Sequence, residues 1–235
     1  MAQAGLIVSM VSLCVVFFSL LGGLITAHLG LKKTFMMGLW TLGIGALLTS
    51  LVHRYDLLLA TRVMHGIGYG LILPVLSGLV MRWFPPREKP YMNMINVSLI
   101  NVGFVVVYTL TVPLFNLNRS WRTPFLIYGA YTVLLALVWT LVGREGSEPG
   151  GEPVQPPGRL DLMKEVIGIR DIRLLLVAYV SAFWVWQVFA TFLPTYYVRY
   201  YGMDLKGASS TVSLLPLVGM ICLLYTSDAA DEGFG

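Results

Sequence analysis

The chain has 235 residues, of which 57% are hydrophobic and only 12% charged, with a formal net charge of +4. A soluble domain carries about 25% charged residues, so a water-soluble globular class is excluded, in keeping with the mean hydropathy of +0.75. Apolar stretches of roughly 20 residues suit a hydrocarbon layer about 30 Å thick crossed as helix. The composition therefore defines an all-α polytopic membrane protein, since a β-barrel would show short alternating strands instead.

Seven apolar segments are predicted, at 5–27, 35–52, 57–81, 94–115, 124–142, 174–197 and 208–225. The first has no basic start and too long an apolar run for a cleaved signal peptide, so it reads as a span. Ser12, Ser19 and Thr26 recur every seven residues within it, and Gly38, Gly45 and Thr49 form a small face on the second. Both patterns suit close helix packing.

The third segment carries the most chemistry. Arg62, His65 and Tyr69 fall at helical spacing on one face. A charge inside a span costs at least about 2.5–3.5 kcal/mol, so Arg62 is expected to face the bundle interior or a wet cavity. A cation, a titratable ring and a phenol facing a cavity suit an anionic substrate. Two plainer readings stay open: Arg62 bonded to backbone carbonyls or a neighbouring helix, and His65 as a hydrogen-bonded core group. Gly66, Gly68 and Gly70 are expected to serve helix packing. They do not form a phosphate loop, because no Lys-Ser/Thr follows in a strand-to-helix turn.

In the fourth segment Ser98, Asn101 and Tyr108 share a face, which suits either a cavity lining or interhelical hydrogen bonding. In the sixth, Trp184, Gln187 and Thr191 share a face and are cavity candidates. Tyr196 and Tyr197 read as membrane-interface anchors, and Pro194 as a residue that loosens the outer end of the helix.

Basic residues orient the spans. With the 28–34 loop on the cytoplasmic side, that side holds ten lysines and arginines against five on the other, with Arg62 inside a span. The 12 acidic residues all lie in loops or the tail, so no apolar segment holds a proton-site carboxylate. Cys14 and Cys222 sit in apolar surroundings as inert thiols, and the scattered His28, His53 and His65 give no metal site. No cofactor and no nucleic-acid partner is expected. The charge, Gly and Pro of REGSEPGGEPVQPPGRLD mark residues 144–173 as a flexible cytoplasmic linker, whose end, DLMKEVIGIRDIR, suits a short interfacial helix.

Four motifs carry a family resemblance. GLITAHLGLKKTF places Gly23, Gly30, Lys32 and Lys33 as in the cytoplasmic loop motif of the major facilitator superfamily, with Ala27 at the motif's acidic position and His28 at the following basic one. Leu58-x-x-x-Arg62-x-x-His65-Gly66-x-Gly68 resembles the motif of that family's fourth helix, with His65 where glutamine is common. Arg82-Trp83-Phe84-Pro85-Pro86-Arg87-Glu88 looks like the connector after that helix, and Ser120-Trp121-Arg122-x-Pro124-Phe125 like the entry to the sixth. The resemblance implies a partial major facilitator fold, with the seven segments as helices two to eight of twelve. On that reading the domains are 1–143 for the remainder of the N-terminal six-helix half, 144–173 for the linker and 174–221 for the start of the C-terminal half. A helix preceding Met1 is expected. Residues 222–235, from CLLYTSDAADE onward, resemble a sequencing adaptor read through as protein and are expected to be non-native.

The function implied is secondary active transport of a small organic or inorganic anion by alternating access. Its expected partners are the small-molecule substrate, a coupling proton and the lipid bilayer. The full-length protein is expected to be a monomer of the plasma membrane, a bacterial inner membrane because adaptor read-through points to environmental prokaryotic DNA. Export of hydrophobic compounds is the alternative within the family, although NVGFVVVYTLTVP lacks the G-x-x-x-G-P pattern of drug/proton antiporters. A polytopic membrane enzyme is disfavoured, because such enzymes need a surface cluster of His, Asp or Glu.

Overall fold

The computed structural model describes residues 2–144 and 168–232, with side chains over 5–144 and 168–222. Most of the expected linker and interfacial helix thus lies outside the described residues. Among the described residues there are seven helices: α1 (Ala2–Leu29), α2 (Leu31–Leu51), α3 (Tyr55–Trp83), α4 (Lys89–Asn118), α5 (Arg122–Val142), α6 (Arg170–Tyr201) and α7 (Leu205–Glu232). Each holds a window long and apolar enough to cross a membrane. The protein is therefore a multi-pass helical membrane protein. Most helices overrun their apolar segments, because apolarity marks the hydrocarbon layer whereas the helix continues into the interface. Thus α6 starts at Arg170 and ends at Tyr201, and the backbone of α7 stays helical to Glu232.

Local chemistry sets the ends. A single glycine separates α1 from α2: Gly30 takes φ 84°. Its N–H still bonds Thr26 O at 2.9 Å, while its carbonyl accepts the Thr34 N–H at 3.3 Å, so it closes one helix and opens the next. Positive φ at no steric cost is what glycine supplies. Proline in the first turn opens α4. Gly202, at φ 61°, ends α6 with its N–H on Tyr197 O.

The described residues fall into two compact units, one comprising α1, α2, α3 and α5, the other residues 93–116 of α4 with α6 and α7. In the first, α3 packs against α1 and α2, and α2 packs against α5. Glycines make these approaches close. A Cβ on Gly66 would overlap Cys14 of α1, and one on Gly70 would sit 2.9 Å from Val15 O. On the other side of α3, a Cβ on Gly68 would lie 2.8 Å from both Gly38 O and Leu42 N of α2. Successive glycines two apart therefore admit two different neighbours. Between α2 and α5, Gly43 meets Val133 and Gly129 meets Leu47, each at 2.8 Å from an added Cβ.

The helices α2 and α5 are also tied at both ends. Arg122 Nη2 donates to Val52 O at 3.2 Å at one end. At the other, Trp139 Nε1 donates to Lys32 O at 3.4 Å, and Trp40 Nε1, from the middle of α2, reaches Thr140 Oγ1 near the end of α5 at 3.3 Å. The helices accordingly run antiparallel, and each is 21 residues long. Beside aliphatic residues such as Leu71 and Val75, many buried positions are small or hydroxylated, such as Thr34, Ala46, Thr49 and Ala136, while Leu13 and Leu141 are 69% and 82% exposed. Exposed leucines and small buried residues are what hydrocarbon permits, since lipid tails solvate leucine and close backbone contact holds the bundle.

In the second unit α6 packs against α7. The α4 residues reach α6 through side chains: the Phe104 and Trp186 rings meet edge to face at 6.4 Å, and Tyr108 donates a hydrogen bond to Ala190 O at 2.6 Å.

Candidate functional site

In the first unit the charge of α3 is met by uncharged groups. Arg62 Nη2 donates to Thr49 Oγ1 of α2 at 3.2 Å. The guanidinium carbon lies 4.8 Å from the centroid of the Phe125 ring of α5, a cation–π distance. The Nε is buried and has no hydrogen-bond partner. No carboxylate is among the Arg62 contacts in the described residues. Asp56, in the first turn of the same helix, is 82% exposed and lies 3.8 Å from Arg54.

Thr49 connects this cation to the rest of the face. Its Oγ1 lies 2.9 Å from Thr61 Oγ1 and 2.8 Å from Gly45 O. Thr61 Oγ1 in turn lies 2.7 Å from Leu58 O, so the two hydroxyls share two protons among the carbonyls of Gly45 and Leu58 and the contact between them. Arg62 donates into this pair at Thr49 Oγ1, whose lone pairs can accept whichever way its own proton points. His65 Nδ1 stands 2.7 Å from Thr61 O. A carbonyl only accepts, so Nδ1 carries the proton, and in the neutral ring Nε2 is the basic nitrogen. The ring packs against α2, 3.3 Å from where a Cβ on Gly45 would stand.

The other predicted residues distribute as follows. Tyr69 is 41% exposed, outside the Arg62–Thr49–Thr61–His65 chain. Gly66, Gly68 and Gly70 hold the interhelical approaches already described. In the loop motif, Gly30 makes the helix break, Lys33 is exposed, and the Lys32 carbonyl receives Trp139. Gly23 meets nothing within 4 Å; its neighbour Gly22 makes the close approach, where an added Cβ would stand 3.1 Å from Pro74 and 3.3 Å from Gly70 O.

The second unit contains a partly open cavity of about 360 Å³. Tyr108 of α4, Val185, Trp186 and Phe189 of α6, and Leu215 and Pro216 of α7 supply most of its wall. Tyr108 thus lines this space with its hydroxyl already engaged. On α6 the wall is the face bearing Trp186. Trp184 is 70% exposed, and Gln187 and Thr191 are half-buried on an adjacent face. Asn101 donates to Val97 O of its own helix at 3.0 Å, and its Oδ1 is 3.9 Å from a Cβ placed on Gly219 of α7. Ser98 is buried with no partner for its hydroxyl. Among the described residues no cluster of three or more His, Cys, Asp or Glu side chains could hold a metal ion.

Sequence reasoning named Arg62 and His65 but not Thr61 as part of their surroundings, and it read Thr49 as packing. Phe125 and Arg122 entered only as letters of a motif. Arg122 completes the carbonyl end of α2 at Val52, a position that favours a cation because the last helical carbonyls lack partners.

Seven spans, glycine-mediated packing and an intramembrane cation with neutral partners define a class: helical membrane proteins with a polar interior. The sequence model of the Major Facilitator Superfamily matches residues 1–232. The chain belongs to that family. It is 22% identical to an uncharacterized protein of Campylobacter jejuni, over 95% of this chain and 68% of the relative. It is 25% identical to a probable chloroplastic anion transporter 3 of Arabidopsis thaliana, over 92% of this chain and 46% of the relative. It is 23% identical to a hexuronate transporter of Bacillus subtilis, over 97% of this chain and 56% of the relative. The chain thus spans about half the length of the two relatives named as transporters.

Proposed function

We propose that the protein is a secondary transporter that carries a small organic or inorganic anion across a membrane by alternating access, and that Arg62 contributes the cation that selects it. The observation that carries this reading is the guanidinium of Arg62, held within a span by a hydroxyl and an aromatic face, with its Nε unpartnered. A cation kept in hydrocarbon without a counter-charge is an expensive arrangement unless an anion visits it. The printed names of the Arabidopsis and Bacillus relatives point the same way.

His65 is proposed as the site of a coupling proton, because no carboxylate occupies the apolar segments and its Nε2 is basic when Nδ1 holds Thr61 O. Asn101, Tyr108, Trp184, Gln187 and Thr191 of the second unit are proposed as further solute-contacting residues. A monomeric state and a bacterial plasma membrane belong to the same proposal.

Uptake into proteoliposomes tests it. Labelled hexuronate and phosphate should enter faster than a neutral hexose of similar size. Hydrogen bonds to a charged group contribute about 1.5–3 kcal/mol, so Arg62→Ala should reduce anion uptake by about tenfold or more. Arg62→Lys should recover only part of it, since an ammonium lacks the planar fork. Equal entry of anion and neutral sugar would sink the reading. A separate expectation concerns coupling: His65→Gln should retain anion binding but remove the response of uptake to an imposed pH gradient.

A further inference from the structure

We propose that Tyr108 is a removable hydrogen-bond donor at a proline hinge in α6: its hydroxyl holds the Ala190 carbonyl that Pro194 orphans. In an α-helix the carbonyl of residue i accepts the N–H of residue i+4. For Ala190 that residue is Pro194, which has no N–H and lies inside α6. The carbonyl therefore loses its helical partner within a membrane-spanning helix, where an unpaired polar group is costly. Tyr108 Oη approaches it to 2.6 Å. The donor comes from α4, so the Ala190 carbonyl is satisfied only while α4 lies alongside.

The surroundings give this contact two possible states. Tyr108 and Ala190 both line the cavity of about 360 Å³, while a water molecule occupies about 30 Å³ of liquid volume. When Tyr108 withdraws, water entering from the open side of that cavity takes the carbonyl, as happens at other proline-interrupted membrane helices. Beyond the hinge, Tyr196, Tyr197, Tyr200 and Tyr201 form one ring cluster, with Tyr196 and Tyr200 at 4.8 Å and Tyr197 and Tyr201 at 5.8 Å. The terminal segment of α6 is thus cohesive and pivots as a piece. Tyr108 is a positioning residue in this scheme, acting through Ala190 and Pro194. Its link to alternating access rests on the transport reading above; the bond itself does not.

The test is a double-variant cycle on the full chain in lipid nanodiscs, read by hydrogen exchange and thermal unfolding. Tyr108→Phe keeps the ring and removes only the donor. It should speed amide exchange across residues 190–201 several-fold and lower the unfolding midpoint by about 2–4 °C, leaving exchange in α1–α3 unchanged. Pro194→Ala restores an N–H at position 194, so Ala190 regains its helical partner. In that background Tyr108→Phe should change neither readout appreciably. Equal effects of Tyr108→Phe in both backgrounds, or none in either, would overturn the proposal. If Tyr108→Phe alone does not give folded protein, the double variant should recover it, and failure of both variants to fold counts against the hinge. None of these readouts involves transport, so an absence of anion uptake together with the expected cycle would reject the transport reading alone.

Discussion

The hydroxyl of Thr49 decides how the charge of Arg62 is accommodated. It is buried between helices, accepts from the guanidinium and stands 2.9 Å from the Thr61 hydroxyl. Thr49→Val removes both links at nearly constant volume and leaves Arg62 without a hydrogen-bond acceptor. The expected loss is about 1–3 kcal/mol, measured by denaturation in detergent micelles. Thr132→Val is the control: its hydroxyl donates only to Tyr128 O, four residues back in its own helix, and the change should be within about 0.5 kcal/mol. This comparison also explains what the sequence concealed. Arg62 and His65 stand out because charge and imidazole are rare in an apolar run. Threonines in spans mostly bond back to their own helix, as Thr26 and Thr41 do. Nothing in the local sequence distinguishes those from Thr49, whose second partner is supplied by another helix.

At the level of helices, the glycine pattern of α3 was legible as packing, but not the division of labour within it. A Cβ on Gly68 would press on the backbone of α2 at 2.8 Å, and backbone cannot step aside as a flexible side chain can. Gly68→Ala should therefore force the helices apart and cost about 1–3 kcal/mol. Gly23→Ala should be neutral or stabilising by up to about 1 kcal/mol, because its Cβ meets nothing and alanine favours helix over glycine. Thermal midpoints of the two variants in one detergent would separate these outcomes, and equal destabilisation would contradict both assignments. The motif match pointed to Gly23, whereas the contact belongs to Gly22, because one residue of helix rotates the side-chain direction by about 100°. Twice that rotation, about 200°, separates Trp184 from Trp186 on α6. Periodicity identifies residues that share a face, but it cannot say which face meets a neighbour when most of the helix is apolar.

Across the whole molecule, all seven spans were legible from hydropathy, because length and apolarity are set directly by the bilayer. The compact units were not. Residues 93–116 group with α6 and α7, through contacts such as the Tyr108 bond that no linear pattern announces; the division into halves around the 144–173 linker stays a proposal about the whole transporter fold. The charge bias makes a testable statement about orientation. Lys33→Cys should react with a membrane-impermeant maleimide only from the cytoplasmic face, and Arg54→Cys only from the outer face, in oriented vesicles. Labelling of both from one face would overturn the orientation. With that orientation, the paired ends of α2 and α5 acquire a mechanical meaning. Bonds at Val52 on one side and at Lys32 and Thr140 on the other bind two helices of equal length into a push rod roughly 30 Å long. Such a rod has no slack. Sliding one helix along the other would break bonds at both of its ends together.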